Sequence, residues 1–322
     1  MSDPTVEPEL HQRVTKEMDS AMARILLGGV LSVTEADPVK LAWAVSVMRG
    51  PAGVGVFITS NEGRGWLPQG IFLPWRVSNP WIWDGIIGGD GNCVSLSWES
   101  VRDPVKVLIE FGAIFGPKAD AMISALASSG PIDHDLMAQN GDIATAEFVE
   151  PCNEFDLRIS AADTVDRLGL AGSIDSLKYV AQVRDDEVSA CCTALTVDAH
   201  RRLSRSTSRS EGSDASRFIR EEILHTIQRG GIVSSQLWDN LQAADEILAH
   251  HAHQLLKSDD ASHREEGAPD DLRRVAVFER RCNEQVLLLA KEPTRQLLRD
   301  IVYAHDQILQ HPLCGKVLAA DT

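Results

Sequence analysis

Between residues 41 and 98 the chain concentrates Trp43, Trp66, Trp75, Trp81, Trp83 and Trp98, six of its seven tryptophans. Side chains of this size dominate whatever core or interface they enter, and each indole N–H needs a partner once buried. Such a window admits two outcomes, a small β core or a docking surface. The residues around it favour strands. Leu41 to Val47 is apolar and β-prone, and Val54, Val56 and Ile58 alternate with Gly55, Phe57 and Thr59. Arg49-Gly50-Pro51-Ala52-Gly53 lies between the two runs, so residues 41–60 are predicted to form a hairpin. Asn61 to Gly65 is a second turn. Beyond it Pro68, Pro74 and Pro80 bar a central strand or a helix interior, and Trp66 to Pro80 reads as an ordered loop or edge strand.

The flanking sequence is of two kinds. Leu10, Val14, Met18, Met22 and Ile25 recur at spacings of three and four, which predicts a helix over residues 7–30 with those residues on its apolar face. Asn92 to Trp98 reads as a strand, Val105 to Phe115 as an apolar element of either type, and Ala119 to Ser128 as a short helix. Thr145 to Ser160 reads as one or two strands, and Ala161 to Arg167 and Glu187 to Leu203 as helices. At residues 201–216, RRLSRSTSRSEGSDAS, serine, arginine and glycine displace the apolar residues, the composition of a linker.

After it the pattern is helical. Ile219, Ile223 and Ile227 precede Gly230-Gly231, a helix stop. Leu237, Leu241, Ala244, Leu248, His251 and Leu255 follow with the spacing of a bundle or coiled-coil seam. Leu272 to Lys291 and Thr294 to Gln310 complete four helices. The expected fold is α+β: a small antiparallel sheet unit with flanking helices, then a helical bundle. The expected division is an N-terminal helix (1–35), a tryptophan-rich α+β domain (36–200), the linker (201–216) and the bundle (217–322).

Composition excludes several partners. A formal net charge of −16 opposes binding to nucleic-acid backbones, which takes a basic face. No apolar run approaches the roughly 20 residues that span a bilayer. The acidic N-terminus lacks the basic-then-apolar order of a signal peptide. The six cysteines show no CxxC spacing, so reduced thiols in a cytoplasmic protein are expected.

Chemistry-bearing patterns are sparse. On a helix, Glu246, His250 and His253 fall near one face and form the one candidate metal trio. His251 lies in the predicted seam, the other two histidines point away from it, and surface imidazoles are the simpler reading. Cys191-Cys192 has no positioned base at a fixed distance. The glycines of GIIGGDG, residues 85–91, lack the Lys-Ser/Thr of a phosphate loop. No cofactor is expected. Burial is the usual fate of tryptophan, yet Trp75, Trp81 and Trp83 are interleaved with Pro74, Arg76, Asn79 and Pro80. An exposed surface of that kind is a partner site, and Trp66, Trp75, Arg76, Trp81 and Trp83 are its candidate residues.

The series Trp43-Ala44-Val45, Gly55-Val56-Phe57-Ile58-Thr59, Gly65-Trp66-Leu67-Pro68-Gln69-Gly70-Ile71 and Leu73-Pro74 resembles a domain of unknown function. That domain occurs in mycobacterial proteins associated with ESX, or type VII, secretion systems. There a WAVG-like strand precedes a TTxLVTDL-like strand and a GWIPPGI-LP turn. Ser46 stands where glycine is usual, and Ser60 to Arg64 replaces an aspartate-containing turn. The resemblance implies a cytosolic accessory or substrate-associated protein that works through protein contacts, with secretion-system components or substrates as partners. The family has no assigned catalytic residues, so none transfers. Two alternatives stand beside this reading: an enzyme with a site at the domain junction, and a structural protein that self-assembles through the 235–257 seam.

Overall fold

The computed structural model describes residues 6–35, 41–62, 65–87, 98, 101, 103–203, 213–257 and 268–315. It is α+β and falls into two compact units, Met1–Asp166 and Arg167–Thr322.

In the first unit the predicted hairpin is the centre of a sheet. β1 (Trp43–Gly50) pairs antiparallel with β2 (Gly53–Ser60) in unbroken register from Trp43↔Ser60 to Gly50↔Gly53. Gly53 carries φ +115°, a conformation open to glycine, which closes the two-residue turn. β3 (Phe72–Pro74), β4 (Val77–Ser78), β5 (Met122–Ser128), β6 (Ala144–Ala146) and β7 (Thr164–Asp166) follow. The main sheet runs β4-β2-β1-β5-β6, and β3 and β7 form a second, two-stranded sheet. The main sheet is mixed and not purely antiparallel as expected, because β4 and β6 join its edges in parallel.

Two helices cover the sheet. α1 (Val6–Thr34) packs on β1, β5 and β6, and α3 (Pro104–Ala119) packs on β1, β2 and β5. Between β4 and α3 lies α2 (Pro80–Ile87), which starts at Pro80, where the missing N–H costs nothing. On the α3 side Ala44, Met48, Phe57 and Leu126 meet Val105, Leu108 and Phe111. The alternation of β1 sends Trp43, Val45 and Val47 to the other side.

Several local expectations are overturned here. α1 runs past the predicted residue 30 to Thr34, through Gly28 and Gly29. They sit inside it because a side chain there would collide, at 2.5 Å from Cys152 Sγ and 3.1 Å from Leu157. Of the predicted helix 119–128, residues 122–128 form β5 instead: Asp120, at φ 49°, terminates α3, and pairing with β1 overrides the helix propensity of Ala, Met and Leu. Within 145–160 only the end of β6 is a strand, and 161–167 holds β7 rather than a helix. The segment 92–97 lies outside the described residues.

The second unit is helical: α5 (Arg167–Ala171), α6 (Ile174–Gln182), α7 (Val188–Leu203), α8 (Ser213–Gln228), α9 (Ser235–Lys257), α10 (Ala268–Leu288), α11 (Arg295–Leu309) and α12 (Pro312–Gly315). α4 (His134–Ala138) belongs to the first unit. α10 packs against α7, α8, α9 and α11. The compact unit begins at Arg167, ahead of the 201–216 segment, because α5, α6 and α7 all pack on α11. Residues 204–212 lie outside the described residues. The α9 seam is internal: Leu241, Leu248 and Ala252 are buried, and α9 packs on α8 and α10. Its phase is 241/245/248/252, so His251 is exposed instead of lying in the seam.

Candidate functional site

The five candidate partner residues separate by burial. Trp83 is 0% exposed and stacks on Phe111, ring centroids 4.0 Å apart, with Trp98 and Phe57 edge-on at 5.4 and 6.1 Å. Its indole N–H donates to Ser78 Oγ at 2.9 Å, so a buried polar atom is satisfied. Trp66 is buried as well, and Trp81 is half-buried on α2. Trp81 and Trp83 do not share a face as they would in an extended segment, because residues two apart on a helix diverge. Trp83 and Trp66 therefore belong to the interior.

Trp75 and Arg76 are left on the surface. They form the turn between β3 and β4, and Trp75 is 58% exposed. The turn is held from both sides. β3 pairs with β7, β4 pairs with β2, and the Trp75 N–H donates to the Asp163 carbonyl at 3.1 Å. The Arg76 guanidinium lies over the Trp75 ring, 4.8 Å from its centroid. An exposed cation stacked on an indole, on a backbone already ordered, offers a partner contact area at little entropic cost.

An open cleft of about 800 Å³ lies elsewhere in this unit, lined by Lys16, Arg49, Ile109, Met122, Ile123 and Ile143. Beside it Asp19, 0% exposed, accepts from Arg49 Nε at 3.0 Å and from Arg49 Nη2 and Ser124 Oγ at 2.5 Å. Burial pushes the Asp19 carboxyl up, but the hydrogen bonds from Arg49 and Ser124 outweigh it and hold the group below its ordinary value. This ion pair locks α1 onto the sheet. Nothing in the sequence signals it, since its partners are contributed by β1 and β5.

The other candidates are placed as follows. Glu246 and His250 are exposed on α9, and the His253 side chain lies outside the described residues. Among the described residues no group of three or more metal-ligating side chains is assembled. Burial pushes the Cys192 thiol up to about 11, and burial raises Cys282 and Cys314 as well, so these three are not thiolates at neutral pH.

The second unit holds a buried charged network. Glu279, 3% exposed, accepts from Arg220 Nη2 and from Arg217 Nη2 at 3.0 Å. Arg220 also donates to Asn283, which donates to Asp245 at 3.1 Å. His200 hydrogen-bonds the Cys282 main chain, and its buried Nε2 has no hydrogen-bond partner. Burial, aided by the Arg220 charge, holds this imidazole well below its ordinary 6.5. The unfolded chain therefore takes up a proton at His200 before the folded one does. The neutral ring's contribution to stability is complete above pH 6.5 and is lost as pH falls towards the folded value. Urea unfolding of His200→Gln is expected to lose less stability per pH unit below 6.5 than the parent, by up to about 1.4 kcal/mol per unit. Identical slopes would show that folding leaves the proton affinity of His200 unchanged.

A comparison with protein-family profiles finds no match to this chain, and a comparison with curated proteins finds none either. No helix among the described residues is long and apolar enough to cross a membrane.

Proposed function

We propose that this chain is a non-enzymatic, cytoplasmic protein-binding accessory of a type VII secretion system, and that the Trp75–Arg76 turn holds its partner. The secretion setting rests on the resemblance of residues 43–74. The binding mode rests on one observation: in the window where the chain concentrates tryptophan, Trp75 is the indole held out to solvent, 58% exposed and stacked by Arg76. Exposed tryptophan and arginine are the residue types that most often carry interface energy.

The test is affinity capture from the native host with the parent chain, Trp75→Ala and Arg76→Ala, followed by binding measurements on the captured secretion-system component. Trp75→Ala is expected to weaken binding by roughly 2 kcal/mol, about 30-fold, while thermal unfolding stays unchanged. Undiminished binding by Trp75→Ala would remove the turn from the interface. Capture of no secretion-system component would remove the setting.

A further inference from the structure

The face of α1 that the sequence marks as apolar points outward. Val14, Met18 and Met22 are 46%, 64% and 42% exposed. Ala21 is exposed beside them and Ile25 is half-buried. The sheet takes the opposite side of the helix, through Asp19, Ala23, Leu27 and Val30. Val14, Met18, Ala21 and Ile25 follow one another by four, three and four residues, the spacing of a seam between two paired helices. The stripe faces away from the sheet, and at its C-terminal end Ala21, Arg24 and Ile25 line an open groove with the 145–154 segment. Methionine suits such a surface, being flexible enough to repack on a partner.

Charge selects the occupant. Glu17 and Arg24 are both exposed, and each directly precedes a seam residue, Met18 and Ile25. Suppose two copies of α1 lie antiparallel, with Met18 of one against Ala21 of the other and Val14 against Ile25. Glu17 of each copy then falls beside Arg24 of the other, giving two symmetric opposite-charge contacts. A parallel pairing would set Glu17 beside Met22 and leave Arg24 unmatched. Arg24 makes no hydrogen bond or ion pair with any described residue. Glu17 contacts only the exposed Arg13 of its own helix among the described residues, at 3.2 Å, which the pairing leaves in place.

We infer that the chain self-associates as a two-fold dimer through antiparallel pairing of α1 over residues 14–25. This surface is independent of the Trp75–Arg76 turn. A seam of about 18 Å is short, and the dimer is expected to form at micromolar concentration.

Sedimentation velocity on the full chain over a hundredfold concentration range tests this. The parent is expected to pass from monomer to dimer. Met18→Glu is expected to stay monomeric with an unchanged melting temperature, since Met18 touches little in its own fold. Glu17→Arg and Arg24→Glu are each expected to weaken the dimer about tenfold, and the double variant to restore it, the effect of reversing paired charges across a symmetric seam. A monomer at every concentration overturns the inference. So does a dimer indifferent to Met18→Glu, or a double variant weaker than either single one, which would place Glu17 and Arg24 apart.

Discussion

Trp83→Ala is expected to destabilise the N-terminal unit by about 3–5 kcal/mol, a large share of a typical domain's stability. Trp83 is 0% exposed and is surrounded by Phe57, Trp98 and Phe111. Truncation leaves a cavity between α2, α3 and the sheet that these rigid rings cannot close, and it strands Ser78 Oγ. Two effects add here, the lost transfer of the indole and the void left behind. Urea unfolding followed by far-ultraviolet circular dichroism measures the change. Trp75→Ala in the same assay is expected to shift stability by less than about 0.5 kcal/mol. A Trp83→Ala chain with the parent's midpoint would mean that the aromatic cluster can collapse, and that the exterior is where this residue matters.

The contrast between these two tryptophans locates what a sequence can and cannot carry. The hairpin was legible because its signals are local: β-branched alternation on both arms and a Gly/Pro turn between them. The helices α7 to α11 were legible for the same reason, by their periods and caps, as with Thr294 accepting from the Leu297 N–H at 3.1 Å, whereas the short α5, α6 and α12 carry too few turns to show a period. β5 was illegible because its composition is helical and its identity comes from β1, which reaches it by pairing across a wide sequence gap. The two candidate sites failed in opposite ways. Trp81 and Trp83 looked like surface because prolines surround them, yet Pro80 opens a helix that turns Trp83 inward. The α1 face looked like core because apolar residues recur at helical spacing, yet the buried side carries Asp19. Periodicity reports that a face is apolar; it does not report which neighbour covers it. The α9 seam makes the complementary point, since the same heptad spacing there is satisfied inside its own unit by α8 and α10.

Glu279→Ala is the second large effect, expected to cost the helical unit about 3–5 kcal/mol. Glu279 is 3% exposed, and Arg220 beside it 2% exposed. Removing the acid leaves the Arg220 guanidinium buried among neutral acceptors, Asn283 Oδ1 and the Glu279 carbonyl, with its Nε already lacking a partner. The penalty arises from the orphaned cation and does not measure the worth of the pair. Replacing both partners, Arg220→Met with Glu279→Leu, is accordingly expected to recover most of the loss, because neither charge then has to be desolvated. The same double variant changes the response to acid. Arg220 is one of the charges that oppose protonation of His200. With it gone the imidazole is depressed by burial and by the remaining Arg217 charge, and the loss of stability below pH 6.5 is expected to become shallower than in the parent. Urea midpoints of the parent, Glu279→Ala and the double variant at pH 7.5 and pH 5.5 separate the two effects. Should the double variant remain as unstable as Glu279→Ala, the network would be fixing the packing of α8 on α10 through geometry that methionine and leucine cannot reproduce.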